Sequence, residues 1–137
     1  KSKIISKIET NNAIKNLKKI SQFSHALLID RGDLSRYIPI EQIPLAQEQV
    51  IKFLSKVNKP TYVATNLLET MIEQNLPTRA ESHDIYSTLK QGAKGLVLAA
   101  ETAIGKDPVA CVKFLKKCIK EFNRSKKIIK NWKKKQK

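Results

Sequence analysis

A chain of 137 residues is one domain's worth, and with 41% apolar residues it can bury a proper core. No apolar run approaches the ~20 residues that span a bilayer and no signal-peptide pattern is visible, so membrane insertion is excluded and a cytoplasmic location is expected. The net charge of +15 is uneven: Lys116 to Lys137 hold eleven Lys/Arg and one acid, so +10 falls there and only +5 on the rest. The start at Lys1-Ser2-Lys3, without Met and almost directly in a strand, is what a piece of a longer protein is expected to show.

Lys3 to Glu9 reads as a first strand. Thr10 or Asn11 caps a helix whose apolar stripe is Ala13, Ile14, Leu17 and Ile20. Ala26 to Ile29, a short bounded apolar run, is the second strand. At its end stand Asp30, Arg31, Gly32 and Asp33. Two readings fit that stretch. A glycine lets the backbone approach a ligand, because no Cβ stands in the way. Gly and Asp are equally ordinary turn residues.

An irregular loop is predicted through Pro39, then a helix from near Pro44 with Ala46, Val50, Phe53, Leu54 and Val57 on its buried face. Asn58-Lys59-Pro60 stops it. Thr61 to Ala64 is the third strand, and Leu67 to Ile72 a short helix. A further helix runs from about Ala80 to Gln91, stopped by Gly92. Gly95 to Ala99 is the fourth strand. Asp107 caps the last helix, with Pro108 at its first position and Val109, Val112, Leu115 and Ile119 predicted to face inward.

Strand and helix thus alternate, which is the pattern of a parallel sheet. The polar strand ends recur after about 24, 32 and 36 residues, from Glu9 to Asp33, Thr65 and Glu101. Each interval holds a βαβ crossover, and right-handed crossovers bring all four ends to one side of the sheet. Lys7, Glu9, Arg31, Asp33, Thr65 and Glu101 are therefore expected to converge. Glu9 and Asp33 can share a hard cation such as Mg²⁺. Lys7, two residues from Glu9, points to the same face and suits charge developing on a phosphoryl group or an enolate. The bland reading is that Lys7, Glu9 and Arg31 are an ion-paired scaffold. Cys111 and Cys118, seven apart in the last helix, are roughly 10 Å apart, too far for a disulfide, and read as core residues of a reducing compartment. His25 and His83 read as structural or solvated.

These residues resemble the pyruvate kinase barrel. Lys3-Ile4-Ile5-Ser6-Lys7-Ile8-Glu9 looks like that family's fifth strand. Arg31-Gly32-Asp33-Leu34, followed by Ile38-Pro39 and Leu45-Ala46-Gln47, looks like its sixth strand and following helix. Ala64-Thr65, Leu68-Glu69-Thr70-Met71 and Pro77-Thr78-Arg79-Ala80-Glu81 look like its seventh. Glu101-Thr102-Ala103 and Gly105, followed by Pro108, look like its eighth. The order and spacings agree through about Phe122.

The fold implied is α/β: four parallel βα units, half of a (β/α)₈ TIM barrel of pyruvate kinase type. It would cover residues 1–124, with a basic tail over 125–137. The function implied is Mg²⁺-dependent phosphoryl transfer between phosphoenolpyruvate and ADP, giving pyruvate and ATP. Lys7 would stabilise the transferring phosphoryl group and the enolate oxygen. Glu9 and Asp33 would bind the Mg²⁺ (or Mn²⁺). Arg31, Gly32 and Asp33 would help hold the substrate carboxylate through their main chain. Thr65 would lie beside the carbon that is protonated, with Glu101 nearby.

The chain departs from the family pattern at Ala99-Ala100, where Ser-Gly is usual before the Glu, and the serine belongs to the proton relay. Asp30 replaces the usual Ala, adding a negative charge beside the metal. Asn66 stands for Gln, Ser35 for Gly and Thr10 for Asn. The residues of the barrel's first half, which bind K⁺ and part of the phosphate, are missing, so this segment alone is expected to be inactive. Its open parallel edges call for a missing half-barrel or a homo-oligomer partner. Two other readings remain: a non-catalytic relic serving as a binding or scaffolding module, and a nucleic-acid binder working through the tail with Trp132 among its lysines. Such lysine runs are more often a solvated helix end, so nucleic acid is the weaker partner.

Overall fold

The computed structural model describes residues 2–135, with side chains described outside 127 and 130–135. Four strands form one sheet in the order β1-β2-β3-β4. They are β1 (Ile5–Ile8), β2 (Ala26–Asp30), β3 (Thr61–Ala64) and β4 (Gly95–Val97). Every neighbouring pair is parallel. The crossovers carry α1 (Asn11–Lys15), α2 (Leu17–Phe23), α4 (Ile43–Lys56) and α5 (Arg79–Gln91), and α7 (Pro108–Lys135) follows β4. Two four-residue helices, α3 (Arg31–Leu34) and α6 (Ala100–Ala103), open directly after β2 and shortly after β4. This is the run of consecutive βα units expected of half a barrel.

Side chains alternate across a strand, so register decides what each face carries. Ile8 pairs with Ile29 and Ile29 with Val63, and all three are fully buried against the helices. The opposite row runs Lys7, Leu28, Tyr62 and Gly95. Lys7 therefore stands on the face away from the helices, as does Asp30, two residues beyond Leu28. A Cβ on Gly95 would fall 2.4 Å from the Tyr62 ring, so that close approach requires glycine. The sheet's edge strand β1 leaves Ile4 and Ile5 more than half exposed.

The core has two lobes. One packs β1–β3 against α2 and α4 through Leu17, Leu27, Ile29, Val50, Ile51 and Leu54. The other joins α5 to α7 through Ile85, Leu89, Cys111, Leu115 and Phe122, and Leu96 of β4 touches both. Gln47, buried in α4, donates to Thr88 Oγ1 at 3.1 Å and Gln91 Oε1 at 2.7 Å, tying α4 to α5. A capping box of Thr78 and Glu81 starts α5, and Gly92 ends it with φ 114°.

Several boundaries differ from expectation for local reasons. The first helix breaks at Asn16, whose side chain donates to Asn12 O and Oδ1 at 3.0 Å and competes with the helical ladder. The segment after β2 is α3 rather than irregular loop, because the Asp30 carboxylate accepts the Asp33 N–H and caps it. Residues Glu69–Ile72 form a 3₁₀ turn. β4 ends at Val97, two residues early.

The inward face of α7 is also corrected. Val109 and Val112 are 58% and 52% exposed, and the stripe Cys111, Leu115, Cys118, Phe122 turns inward instead. That stripe keeps the helical period, whereas 109 and 112 lie about one residue out of phase. On α4, Val57 is exposed and Ile43, Gln47 and Ile51 join the buried face. The Asp107 cap forms, its Oδ1 accepting the Ala110 N–H at 2.8 Å.

The helix α7 continues through position 125, where the basic tail was expected to begin. At that point Lys126 lies 4.4 Å over the Phe122 ring, which meets Tyr86 edge-on. The Trp132 side chain lies outside the described residues. Among the described residues no helix is long and apolar enough to cross a membrane.

Candidate functional site

Parallel pairing brings the carboxyl ends of β1, β2 and β3 together, and Lys7, Glu9 and Asp33 meet there, whereas the Arg31 and Glu101 side chains find other partners. Lys7 Nζ is 2.8 Å from Glu9 Oε2, 2.9 Å from Asp30 Oδ2 and 3.6 Å from Asp33 Oδ2. Glu9, Asp30 and Asp33 each offer a carboxylate oxygen, and the three lie within 4.8 Å of one another. Glu9 Oε2 is screened from solvent, with Lys7 as its partner. Hard oxygen donors this close suit Mg²⁺ or Mn²⁺, so the donor set fits the expected metal. Asp30 is an addition to the expected pair. The cluster opens onto a cleft of about 210 Å³ lined by Glu9, Thr10, Asp33, Arg36 and Tyr37.

Mutual hydrogen bonding sets the charge states. The bonds to Glu9 and then to Asp30 hold the Lys7 ammonium well above its ordinary pKa. For Asp30, burial opposes ionisation, but the Lys7 hydrogen bond, the Asp33 N–H and the Thr65 hydroxyl outweigh it and lower its pKa. A lowered carboxyl pKa contributes stability that is present above the unfolded value of 3.8 and lost as pH falls through the folded one. Glu81 shifts the same way: backbone N–H groups of Thr78 and Thr70 overcome its burial. Urea unfolding midpoints are expected to stay flat from about pH 7 to 5 and to fall below about pH 4, with a shallower fall in Glu81→Gln.

Thr65 joins the cluster from β3. Its φ is 69°, uncommon for a β-branched residue, and such strain gathers at functional sites. Contacts at both ends hold it. Its Oγ1 accepts the Gly32 N–H at 2.8 Å, its hydroxyl lies 2.6 Å from Ala64 O and 3.3 Å from Asp30 Oδ1, and its carbonyl accepts both Nε and Nη2 of Arg31. A Cβ on Gly32 would sit 3.4 Å from Thr65 Oγ1, in ordinary contact with it.

Two expected roles take a different form. The Gly32 and Asp33 N–H groups, expected to face a substrate carboxylate, are engaged by Thr65 Oγ1 and, at 3.3 Å, by Asp30 Oδ1. The Arg31 guanidinium is buried and held bidentately by Asp84, at 2.9 and 2.8 Å. The Arg31 side chain is thus ion-paired with Asp84, and Lys7 and Glu9 are ion-paired with each other in the acid cluster. Asp84 escaped the sequence reading because nothing in α5 marks one acid among its polar residues.

Glu101 is 2% exposed and faces inward. Its Oε1 accepts the Leu68 N–H at 2.9 Å and its Oε2 the Ala99 N–H at 2.8 Å. It thereby ends β4 and pins the segment after β3 beside a cleft of about 170 Å³ that also touches Gly32, Thr65 and Ala99. Glu101→Ala strands both N–H groups and is expected to cost about 3 kcal/mol in a urea titration.

Comparison with known proteins agrees with this arrangement. The family described as "Pyruvate kinase, barrel domain" matches residues 1–112. The chain is 47% identical over 118 residues to a pyruvate kinase of Thermotoga maritima, covering 86% of this chain and 25% of that protein. It is 44% identical over 112 residues to the chloroplastic pyruvate kinase isozyme G of Nicotiana tabacum, covering 82% and 20%. It is 40% identical over 116 residues to a pyruvate kinase of Mycobacterium tuberculosis, covering 85% and 25%. The chain therefore spans a fifth to a quarter of the length of these relatives. With four parallel βα units, an acid–lysine cluster at the sheet's carboxyl end and these matches, the chain belongs to the pyruvate kinase family, as part of its barrel domain.

Proposed function

We propose that this chain supplies half of the active site of a Mg²⁺-dependent pyruvate kinase, transferring a phosphoryl group between phosphoenolpyruvate and ADP once a first half-barrel completes it. The observation that carries this reading is the Lys7 ammonium set among Glu9, Asp30 and Asp33 beside the strained Thr65. Glu9 and Asp33 would hold Mg²⁺ or Mn²⁺, which when bound supplies positive charge to the phosphoryl group and the enolate oxygen. Lys7 adds a fixed cation for the same developing charge. The Thr65 hydroxyl, freed from the Gly32 N–H as the substrate carboxylate binds, would pass its proton to the enolate carbon and regain one from water. Substrate carboxylate binding draws on the Gly32 and Asp33 N–H groups, so Thr65 and Asp30 must release them. Glu101 serves by positioning the loop that carries Ala99, and Arg31 by fixing the Thr65 carbonyl. K⁺ would enter through the first half-barrel, and the compartment would be the cytoplasm.

Phosphoryl transfer is mostly positioning and electrostatics, so half a site supplies little rate. A lactate-dehydrogenase-coupled assay with phosphoenolpyruvate, ADP, Mg²⁺ and K⁺ tests this. No turnover is expected from the chain alone, and slow turnover after complementation with a first half-barrel taken from a relative. Continued silence of a folded, complemented barrel would favour the second reading, a non-catalytic binding module. Asp30 and Ala99 favour that reading: one offsets the Lys7 charge, the other lacks a relay hydroxyl.

A further inference from the structure

Asp30 touches Lys7, Asp33 and Thr65. Its Oδ2 is 2.9 Å from Lys7 Nζ, while its Oδ1 faces the Asp33 N–H and the Thr65 hydroxyl, each at 3.3 Å. Its side chain is 11% exposed, against 36% for Glu9 and 38% for Asp33. It is therefore the most enclosed of the three acids and the one whose oxygens are already committed.

Lys7 poses the problem that Asp30 answers. Its ammonium rests 2.8 Å from Glu9 Oε2 and 3.6 Å from Asp33 Oδ2, on the two carboxylates read as holding a divalent cation. Two cations crowded onto the same pair of carboxylates repel, since like charges this close repel in any dielectric. Lys7 must therefore move off Glu9 when a cation loads, and it moves readily only if another carboxylate keeps it. Among the described residues Arg36 also pairs with the cluster, but at 77% exposure and 3.7 Å from Asp33 Oδ1 it is too loose and solvated to matter much.

We propose that Asp30 is a positioning residue that retains the Lys7 ammonium while Glu9 and Asp33 take a divalent cation. The proposal rests on the reading of Glu9 and Asp33 as cation ligands. Charge supports it: three carboxylates and one ammonium sum to −2, which one divalent cation neutralises. The cluster can then load a cation with no anionic substrate present. Without Asp30, Lys7 remains on Glu9 and Asp33 and competes with the cation.

A double-mutant cycle on Mn²⁺ affinity tests this, with free Mn²⁺ followed by electron paramagnetic resonance in the absence of any phosphate compound. The variants are Asp30→Asn, Lys7→Met and the pair. Asn keeps the side-chain acceptor for the Asp33 N–H. Asp30→Ser, a capping residue without charge, repeats the cycle should Asn disturb the fold as judged by circular dichroism. Asp30→Asn is expected to weaken Mn²⁺ binding about tenfold, and adding Lys7→Met to recover most of that loss, whereas Lys7→Met alone changes affinity little. An equal gain from Lys7→Met with and without Asp30, or no loss in Asp30→Asn, overturns the role given to Asp30 and leaves the metal acids standing. No Mn²⁺ uptake by the unaltered chain overturns the metal reading and this proposal with it.

Discussion

Replacing Lys7 by alanine in the complemented barrel is expected to lower kcat for phosphoenolpyruvate turnover about a thousandfold, with KM changed much less. A fixed ammonium aimed at developing charge acts chiefly in the transition state, and removing one such preorganised group costs about 10²–10³ in kcat. Its placement is enforced three ways. Period-two alternation puts Lys7 on the face away from the helices, parallel pairing sets it beside Leu28, and Asp30 holds its tip. A loss shared between kcat and KM would instead give Lys7 a role in ground-state binding. The coupled assay with substrate saturation curves separates the two.

The second large effect is expected at Asp33. Asp33→Ala should weaken Mn²⁺ binding about a hundredfold or more, because even residues one shell removed from a metal change affinity 10–100-fold. Isothermal titration with Mn²⁺ reads this directly. The fold is expected to tolerate the change, since Asp33 is more than a third exposed and contributes to α3 through its backbone N–H, which alanine retains. Glu9→Gln should behave alike, while Arg36→Ala, altering a loose exposed pair, should shift affinity by less than about threefold.

How much of this was legible beforehand follows from where the information lies. Apolar runs ending in Glu9, Asp33, Thr65 and Glu101 announce the sheet because strand, helix and polar end are local patterns. The convergence of those ends follows from crossover handedness alone. What escaped depends on side chains meeting across long separations. The Arg31–Asp84 clamp joins residues 53 apart. The Gly32 N–H finds Thr65 across 33, and Glu101 reaches the Leu68 N–H across 33. No periodicity encodes such bonds. Asp30 illustrates the middle case: its charge was visible in the sequence, but only the geometry makes it both the cap of α3 and the anchor of Lys7. The phase of α7 failed for a simpler reason. Its apolar residues offer two overlapping stripes, and packing against α5 selects the one through Cys111 and Phe122.

Glu9 and Asp33, at the carboxyl ends of β1 and β2, are proposed to form a divalent-cation site beside Lys7. Crystals of the chain soaked in Mn²⁺ and measured at the manganese absorption edge test it most directly. One anomalous peak is expected, bonded to the Glu9 and Asp33 carboxylates, with Lys7 Nζ withdrawn from Glu9 onto Asp30. A map without a peak there, with Lys7 still seated on Glu9, would contradict it.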